Sequence, residues 1–192
     1  MWDEIHDPTQ PPPPPLGWNI VMTSRQGGQR RLRNAVRRLV RLRLSGFRNV
    51  FIGRVDDPRA LFTALAELRE RYPRLDEWLG KVVPIEHTFL LDASAAAAQL
   101  QQETTPLLDR LAGRTFHVRL ERRGHKGSIN THATEKAVGE HLYAALEARG
   151  QRPVVQFNDP DAVVVIEIIG EVAGVGLVTR ELRQSFPFVK ID

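Results

Sequence analysis

Ala162-Val163-Val164-Val165-Ile166-Glu167-Ile168-Ile169 is apolar on both of its faces. An eight-residue run of this kind reads as a central strand covered on both sides, which belongs to a mixed α/β architecture. The turn Asn158-Asp159-Pro160-Asp161 precedes it, and Asp159 favours extended geometry because a proline follows. A strand is predicted at Val154–Phe157, another at Gly174–Thr179, and a short helix at Arg180–Ser185. Upstream, Thr131–Arg149 reads as a helix closed by Gly150. Phe116 to Glu121 alternates, with Phe116, Val118 and Leu120 to one side and His117, Arg119 and Glu121 to the other. Asp92 is the expected cap of an alanine-rich helix, Ala93–Glu103, restarted by Thr105-Pro106 as Leu107–Ala112 and stopped by Gly113. This half predicts a mixed α/β unit with its own core.

The other half alternates strand and helix. Leu16–Thr23 reads as a strand and Ser24–Gly28 as a turn. Gln29–Arg43 reads as one amphipathic helix, roughly 22 Å long. Leu32, Ala35, Val36, Leu39 and Val40 form its apolar stripe; Arg30, Arg33, Arg37 and Arg41 lie opposite, flanked by Arg31 and Arg38. Ser45-Gly46 ends the helix, and Phe47–Val55 is a strand. Asp57 can cap a helix that begins at Pro58, runs through Leu61, Leu65 and Leu68 to Tyr72, and stops at Pro73. A short turn, Leu75–Leu79, leads to a strand at Val82–Leu91. One further edge strand would make this the split βαβ, ferredoxin-like arrangement. The expected organisation is a proline-rich disordered arm over 1–15, a ferredoxin-like unit over 16–91 and a mixed α/β unit over 92–192.

The chain has 192 residues, 42% hydrophobic and 26% charged, as in an ordinary soluble domain. No apolar run approaches the roughly 18 residues of a membrane span. Its zero cysteines exclude disulfides, thiol nucleophiles and thiolate metal sites. The acidic N-terminus is unlike a secretory signal, and a cytoplasmic protein is expected. The net charge of +4 conceals a segregation: Pro8–Val55 has no acid and ten arginines. A second concentration sets Arg114, Arg119, Arg122, Arg123 and Lys126 against the single Glu121. Two such patches point to a polyanion. The candidate contacts are Arg25, Arg30, Arg33, Arg37, Arg41 and Arg48 in the first, and Arg119, Arg122, Arg123, His125 and Lys126 in the second.

Arg122-Arg123-Gly124-His125-Lys126-Gly127 suits phosphate through charge and close backbone approach, but it lacks nucleotide-loop spacing. No histidine pair has metal-ligand spacing, and the cations around His125 and His132 oppose a metal. Glu167 is expected to pair with an arginine or accept hydrogen bonds from a neighbouring loop rather than act as a base. Ser45–Gly53 departs from the base-stacking strand of RNA-recognition motifs, so Phe47 and Phe51 are assigned to the core. No catalytic constellation stands out.

Phe116-His-Val-Arg119-Leu-Glu-Arg122-Arg123-Gly124-His125-Lys126-Gly127, then Gly139, Asn158-Asp-Pro-Asp161, Val163–Glu167 and Gly174-Val-Gly176, resembles a THUMP domain. The region Trp18–Leu91 is similar to the ferredoxin-like domain that accompanies such domains in tRNA-modifying proteins. Together they resemble the stand-alone THUMP adaptors of tRNA cytidine acetylation. The resemblance implies binding of a tRNA acceptor stem and 3′ CCA end. It places Arg119, Arg122, Arg123, His125 and Lys126 in the basic strand-and-loop motif, and it makes Glu167 and Asp159-Pro160-Asp161 structural. It also implies a chain without catalysis or cofactor that presents tRNA to a separate enzyme, such as an RNA cytidine acetyltransferase. The pattern runs to Asp192, which leaves no catalytic segment in this expectation. Two alternatives stay open: an RNA-modifying enzyme with a site near His125 and Glu167, and an adaptor whose arginine helix docks an acidic protein.

Overall fold

A computed structural model describes residues 15–191. The expected arm over 1–15 therefore lies outside the described residues, Pro15 excepted. The described chain folds into two sheets with helices, a mixed α/β architecture. Among the described residues, no helix is long and apolar enough to cross a membrane.

The first sheet is built from β1 (Ile20–Ser24), β2 (Arg43–Leu44), β3 (Val50–Gly53) and β4 (Leu79–Pro84), in the order β2-β3-β1-β4 and antiparallel throughout. Helix α1 (Gln29–Val36) links β1 to β2, and α2 (Pro58–Arg71) links β3 to β4. The element order β–α–β–β–α–β is that of a split βαβ unit, and the short β2 is the edge the sequence left unassigned. Its formation shortens the expected helix. The chain turns after Val36, where Leu39 and Val40 amides both donate to the Val36 carbonyl. Val40 and Leu42 can then be buried while Arg43 and Leu44 pair with Ile52 and Phe51. The helix is eight residues, about 12 Å, and Arg37, Arg38, Arg41 and Arg43 lie beyond it. The strand expected at Phe47–Val55 contracts to Val50–Gly53 because Ser45–Asn49 forms the tight turn from β2. Asp57 caps α2 as expected, accepting from the Arg59 and Ala60 amides, with Pro58 in the first turn.

The strand expected over Val82–Leu91 is divided. After β4 the chain crosses at Ile85-Glu86, and β5 (His87–Leu90) joins the second sheet. That sheet has the order β5-β9-β8-β6-β7, with β6 (Thr115–Arg123), β7 (Val154–Val155), β8 (Ala162–Ile169) and β9 (Val172–Thr179). β6 runs parallel to β7 and β8, while β9 runs antiparallel to β8 and β5. Helices α3 (Ala96–Thr104), α4 (Leu108–Leu111) and α5 (Thr131–Ala148) follow β5 and β6, and α6 (Arg180–Ser185) follows β9. Asp92 caps the Ser94 turn ahead of α3 rather than the helix itself, whose N-cap is Ala95.

Every residue of β8 is buried, as a central strand requires. Its alternate residues serve two cores. Ala162, Val164, Ile166 and Ile168 pack with Leu100 of α3, Leu111 of α4 and Leu142 of α5. Val163, Val165 and Ile169 join Val21, Val83, Leu32 and Phe62 of the N-terminal unit. The second half thus has a core of its own on one face only; the other face is shared. Gly174 and Gly176 of β9 explain how closely the units approach. A Cβ at Gly174 would stand 2.6 Å from the Trp18 ring, and one at Gly176 would stand 2.6 Å from the Pro84 carbonyl oxygen. The chain then returns to the first unit: Phe186 and Phe188 pack on Phe62, and Val82 donates to the Phe188 carbonyl.

Candidate nucleic-acid interface

Helix α1 buries Leu32 and Val36 and turns its arginines outward. The turn that ends it bends back across its surface and encloses a groove of about 440 Å³, lined by Arg30, Arg33, Arg37 and Arg41 with Gln29 and Asn34. These arginines were expected on one helix face. They come instead from the helix and from the loop behind it, and they still meet. A neighbouring hollow of about 260 Å³ shares Arg41 and adds Arg43 and Arg54. Arg54 donates to the Gly17 carbonyl at 2.6 Å, and Arg31 lies over the Trp78 ring. Among the described residues, none of Arg30, Arg33, Arg37, Arg41 and Arg48 pairs with a carboxylate. Mutual repulsion in such a group is relieved by a polyanion.

The turn that holds Arg48 lies between the groove residue Gln29 and the second patch. The Asn49 side-chain oxygen in that turn accepts from Gln29 Nε2 at 2.8 Å and Ser24 Oγ at 3.3 Å, which ties it to the start of α1. Phe47 packs against the first core, and Phe51 is fully buried, as assigned. The Phe47 ring edge also lies 3.6 Å from the Cβ position of Gly124, so the Arg48 turn abuts the Arg122–Gly127 loop. Arg25, on the opposite side of α1's start, donates to the Leu79 carbonyl at 3.2 Å and stays exposed.

The second patch is only partly free. Arg122 donates to the Gly124 carbonyl at 2.7 Å, and Lys126 is exposed. Arg119 stands 3.8 Å from Glu135. His125 faces the Gly170 carbonyl at 2.9 Å and Glu171 at 3.5 Å. Arg123 turns inward. Its side chain is 15% exposed and pairs with Glu121 at 2.7 Å and with Glu167. Lys81 of β4 pairs with Glu121 from the other sheet. Glu121 and Glu167 are register partners on adjacent strands, so two carboxylates stand side by side and the two cations compensate them. Burial pushes Glu167 up to about 7, with Arg123 opposing the rise. Pairing with an arginine was one of the two structural roles expected of Glu167. Lys81 was missed, although a lysine in the apolar strand Leu79–Pro84 and a glutamate in the apolar strand Ala162–Ile169 are complementary anomalies.

The Asp159-Pro160-Asp161 turn is pinned from both sides. Asp161 accepts from the Thr115 amide and hydroxyl, each at 2.8 Å, and pairs with Arg180 at 2.6 Å. The Thr115 bonds, aided by the Arg180 charge, hold its carboxyl below the usual range. Among the described residues, no group of three His, Asp or Glu side chains could hold a metal.

Residues 94–178 match the THUMP domain model. No match was found among curated protein sequences. Among solved structures, TrmN from Thermus thermophilus is similar over 84% of this chain and 45% of its own, with TM-score 0.61 and 20% identity. PH1313 from Pyrococcus horikoshii Ot3 is similar over 84% of this chain and 55% of its own, with TM-score 0.51 and 14% identity. A 4-thiouridine synthetase solved in complex with RNA and ATP is similar over 84% of this chain and 41% of its own, with TM-score 0.52 and 12% identity. At these identities the likeness is one of fold, and the chain spans about half the length of each structure or less. The basic strand β6, its Gly-flanked loop, the pinned Asp-Pro-Asp turn and the buried β8 all lie inside the matched region. Residues 94–178 form a THUMP domain.

Proposed function

We propose that this protein binds tRNA at its acceptor stem and 3′ CCA end and presents it to a separate modifying enzyme, such as an RNA cytidine acetyltransferase. The observation that carries the reading is the arginine groove, uncompensated among the described residues and joined by the Phe47–Gly124 contact to the loop of a THUMP domain. The RNA held by the similar 4-thiouridine synthetase structure supports it. Phosphates bind along Arg30, Arg33, Arg37 and Arg41, and Arg48, Arg122 and Lys126 continue the track. Arg123 and His125 shape the loop through Glu121, Glu167 and the Gly170 carbonyl instead of facing solvent. With α1 only about 12 Å long, the groove and the turn beside it supply the reach that a longer helix would have given.

The test is titration of tRNA at several salt concentrations with Arg33→Glu/Arg37→Glu, both exposed positions. Affinity should fall at least tenfold, and the dependence of log K on log salt should become shallower by somewhat under one unit per lost phosphate contact. Unchanged affinity and slope would make the groove ordinary solvated surface. For the presenting role, the purified chain incubated with tRNA and either acetyl-CoA plus ATP or S-adenosylmethionine should leave the nucleosides unchanged. Multiple turnover of any modified nucleoside would replace it with catalysis.

A further inference from the structure

Among the described residues the other phenylalanines are buried or half-buried, whereas Phe157 is 78% exposed. The neighbouring Gln156 is fixed by several hydrogen bonds. That residue's amide donates to the Phe116 carbonyl at 3.0 Å, and its side chain donates to the Asn158 and Asp159 carbonyls. Its own carbonyl accepts from His117 Nδ1 at 3.0 Å. The Phe157 and His117 rings lie 5.4 Å apart, inclined by 32°. Beside them opens a slot of about 300 Å³ between α5 and β7, with Phe116, Val118 and Gly139 also in its lining and His132, Glu135, Lys136 and Glu140 contributed by α5. It exists because β7 pairs with β6 only at Thr115 and Phe116, which leaves the rest of that edge without a strand.

Two details point to a ligand rather than loose packing. Gly139 sits inside the 18-residue α5, where glycine is less favourable than alanine. A Cβ there would meet only Val118, at an ordinary 3.8 Å, so packing does not demand glycine; a larger side chain would project into the slot. Burial also lowers the tendency of the His117 ring to charge, and its Nδ1–H is committed to the Gln156 carbonyl. Nε2 is thereby left as an acceptor. A largely apolar cavity with a few fixed polar groups and a perturbed histidine is the usual form of a ligand pocket.

We propose that this slot receives one unpaired nucleobase of the bound RNA, stacked on Phe157 with its polar edge toward His117. The inference rests on the RNA-binding reading above. A base is flat, of suitable size, and presents both a π-face and hydrogen-bond donors. Arg122 lies five residues along β6 from His117, about 17 Å. Backbone phosphates at the basic loop and a base in the slot therefore belong to one short single-stranded segment.

The experiment compares two RNA hairpins with the same stem, one blunt and one with a four-nucleotide 3′ tail containing 2-aminopurine. Wild type should prefer the tailed hairpin, and its binding should quench the 2-aminopurine. Phe157→Ala, at an exposed position, should lose roughly tenfold on the tailed hairpin, as expected for one base–aromatic stack. It should lose nothing on the blunt one and should abolish the quenching, whereas Phe157→Trp should retain both preference and quenching. Equal wild-type affinity for the two hairpins, or a Phe157→Ala variant with unaltered tail preference, overturns the slot and leaves RNA binding standing. A wild type that binds neither hairpin overturns both.

Discussion

The arginines of residues 25–54 and the cations of residues 114–126 look alike in the sequence, yet folding treats them oppositely. Around α1 no acid is present in the segment, and none among the described residues arrives by folding, so Arg30, Arg33, Arg37 and Arg41 remain exposed and unpaired. Along β6 the fold delivers Glu167 from 44 residues away to Arg123, and Lys81 from 40 residues away to Glu121. The first patch stays an exposed and uncompensated cationic surface. Much of the second is internal cement with a basic rim, Arg122 and Lys126.

The largest expected difference between the patches is in stability. At pH 8, where Glu167 is largely ionised, Arg123→Ala strips that buried carboxylate of its guanidinium, removes a second pair with Glu121, and should destabilise the fold by about 3–5 kcal/mol. Arg37→Ala, on the exposed surface, should stay within about 0.5 kcal/mol. Urea denaturation of both variants checks this, and equal small losses would place Arg123 with the surface arginines.

A somewhat smaller effect concerns pH. Glu167 has a folded pKa of about 7, above the ordinary carboxylate value, so it takes up a proton on folding. Its contribution is complete at low pH and is lost as pH rises through about 7. His117 works the other way, because burial disfavours its charged form and its contribution is lost as pH falls. The informative quantity is therefore the difference between wild type and Glu167→Gln. Between pH 5 and pH 8 the wild type should lose up to about 3 kcal/mol relative to the variant. Parallel profiles would mean that Arg123 and Lys81 keep Glu167 ionised throughout.

The same contrast describes what the sequence made legible. Ala162–Ile169 and Arg180–Ser185 could be bounded from their own residues, because a two-faced apolar run and a short capped helix are local patterns. Asp57-Pro58 announced α2 for the same reason. The end of α1 was hidden: Leu39 and Val40 continue the helical spacing, and only the pairing of Arg43-Leu44 with β3 shows where the helix must stop. The crossing at Ile85-Glu86 was hidden because one apolar stretch serves two sheets. The concentration of arginines was readable from charge alone, but not that Arg37 and Arg41 reach the groove from beyond α1. The commitments of Arg123 and His125, and the seam between Phe47 and Gly124, depend on contacts that no local window contains.

The return of Phe186–Val189 onto α2 and β4 bears on how the polypeptide is made. Domains commonly fold in order as they leave the ribosome. Here the N-terminal unit lacks the aromatic side chains that cover Phe62, and the partner of the Val82 amide, until residue 188 has been joined to the chain. About 100 residues separate β4 from that segment, a delay of roughly 5–20 s at ordinary elongation rates. Throughout that interval the face of Phe62 that Phe186 and Phe188 cover, and the Val82 amide that the Phe188 carbonyl receives, wait for a segment translated after the whole region that matches the THUMP model.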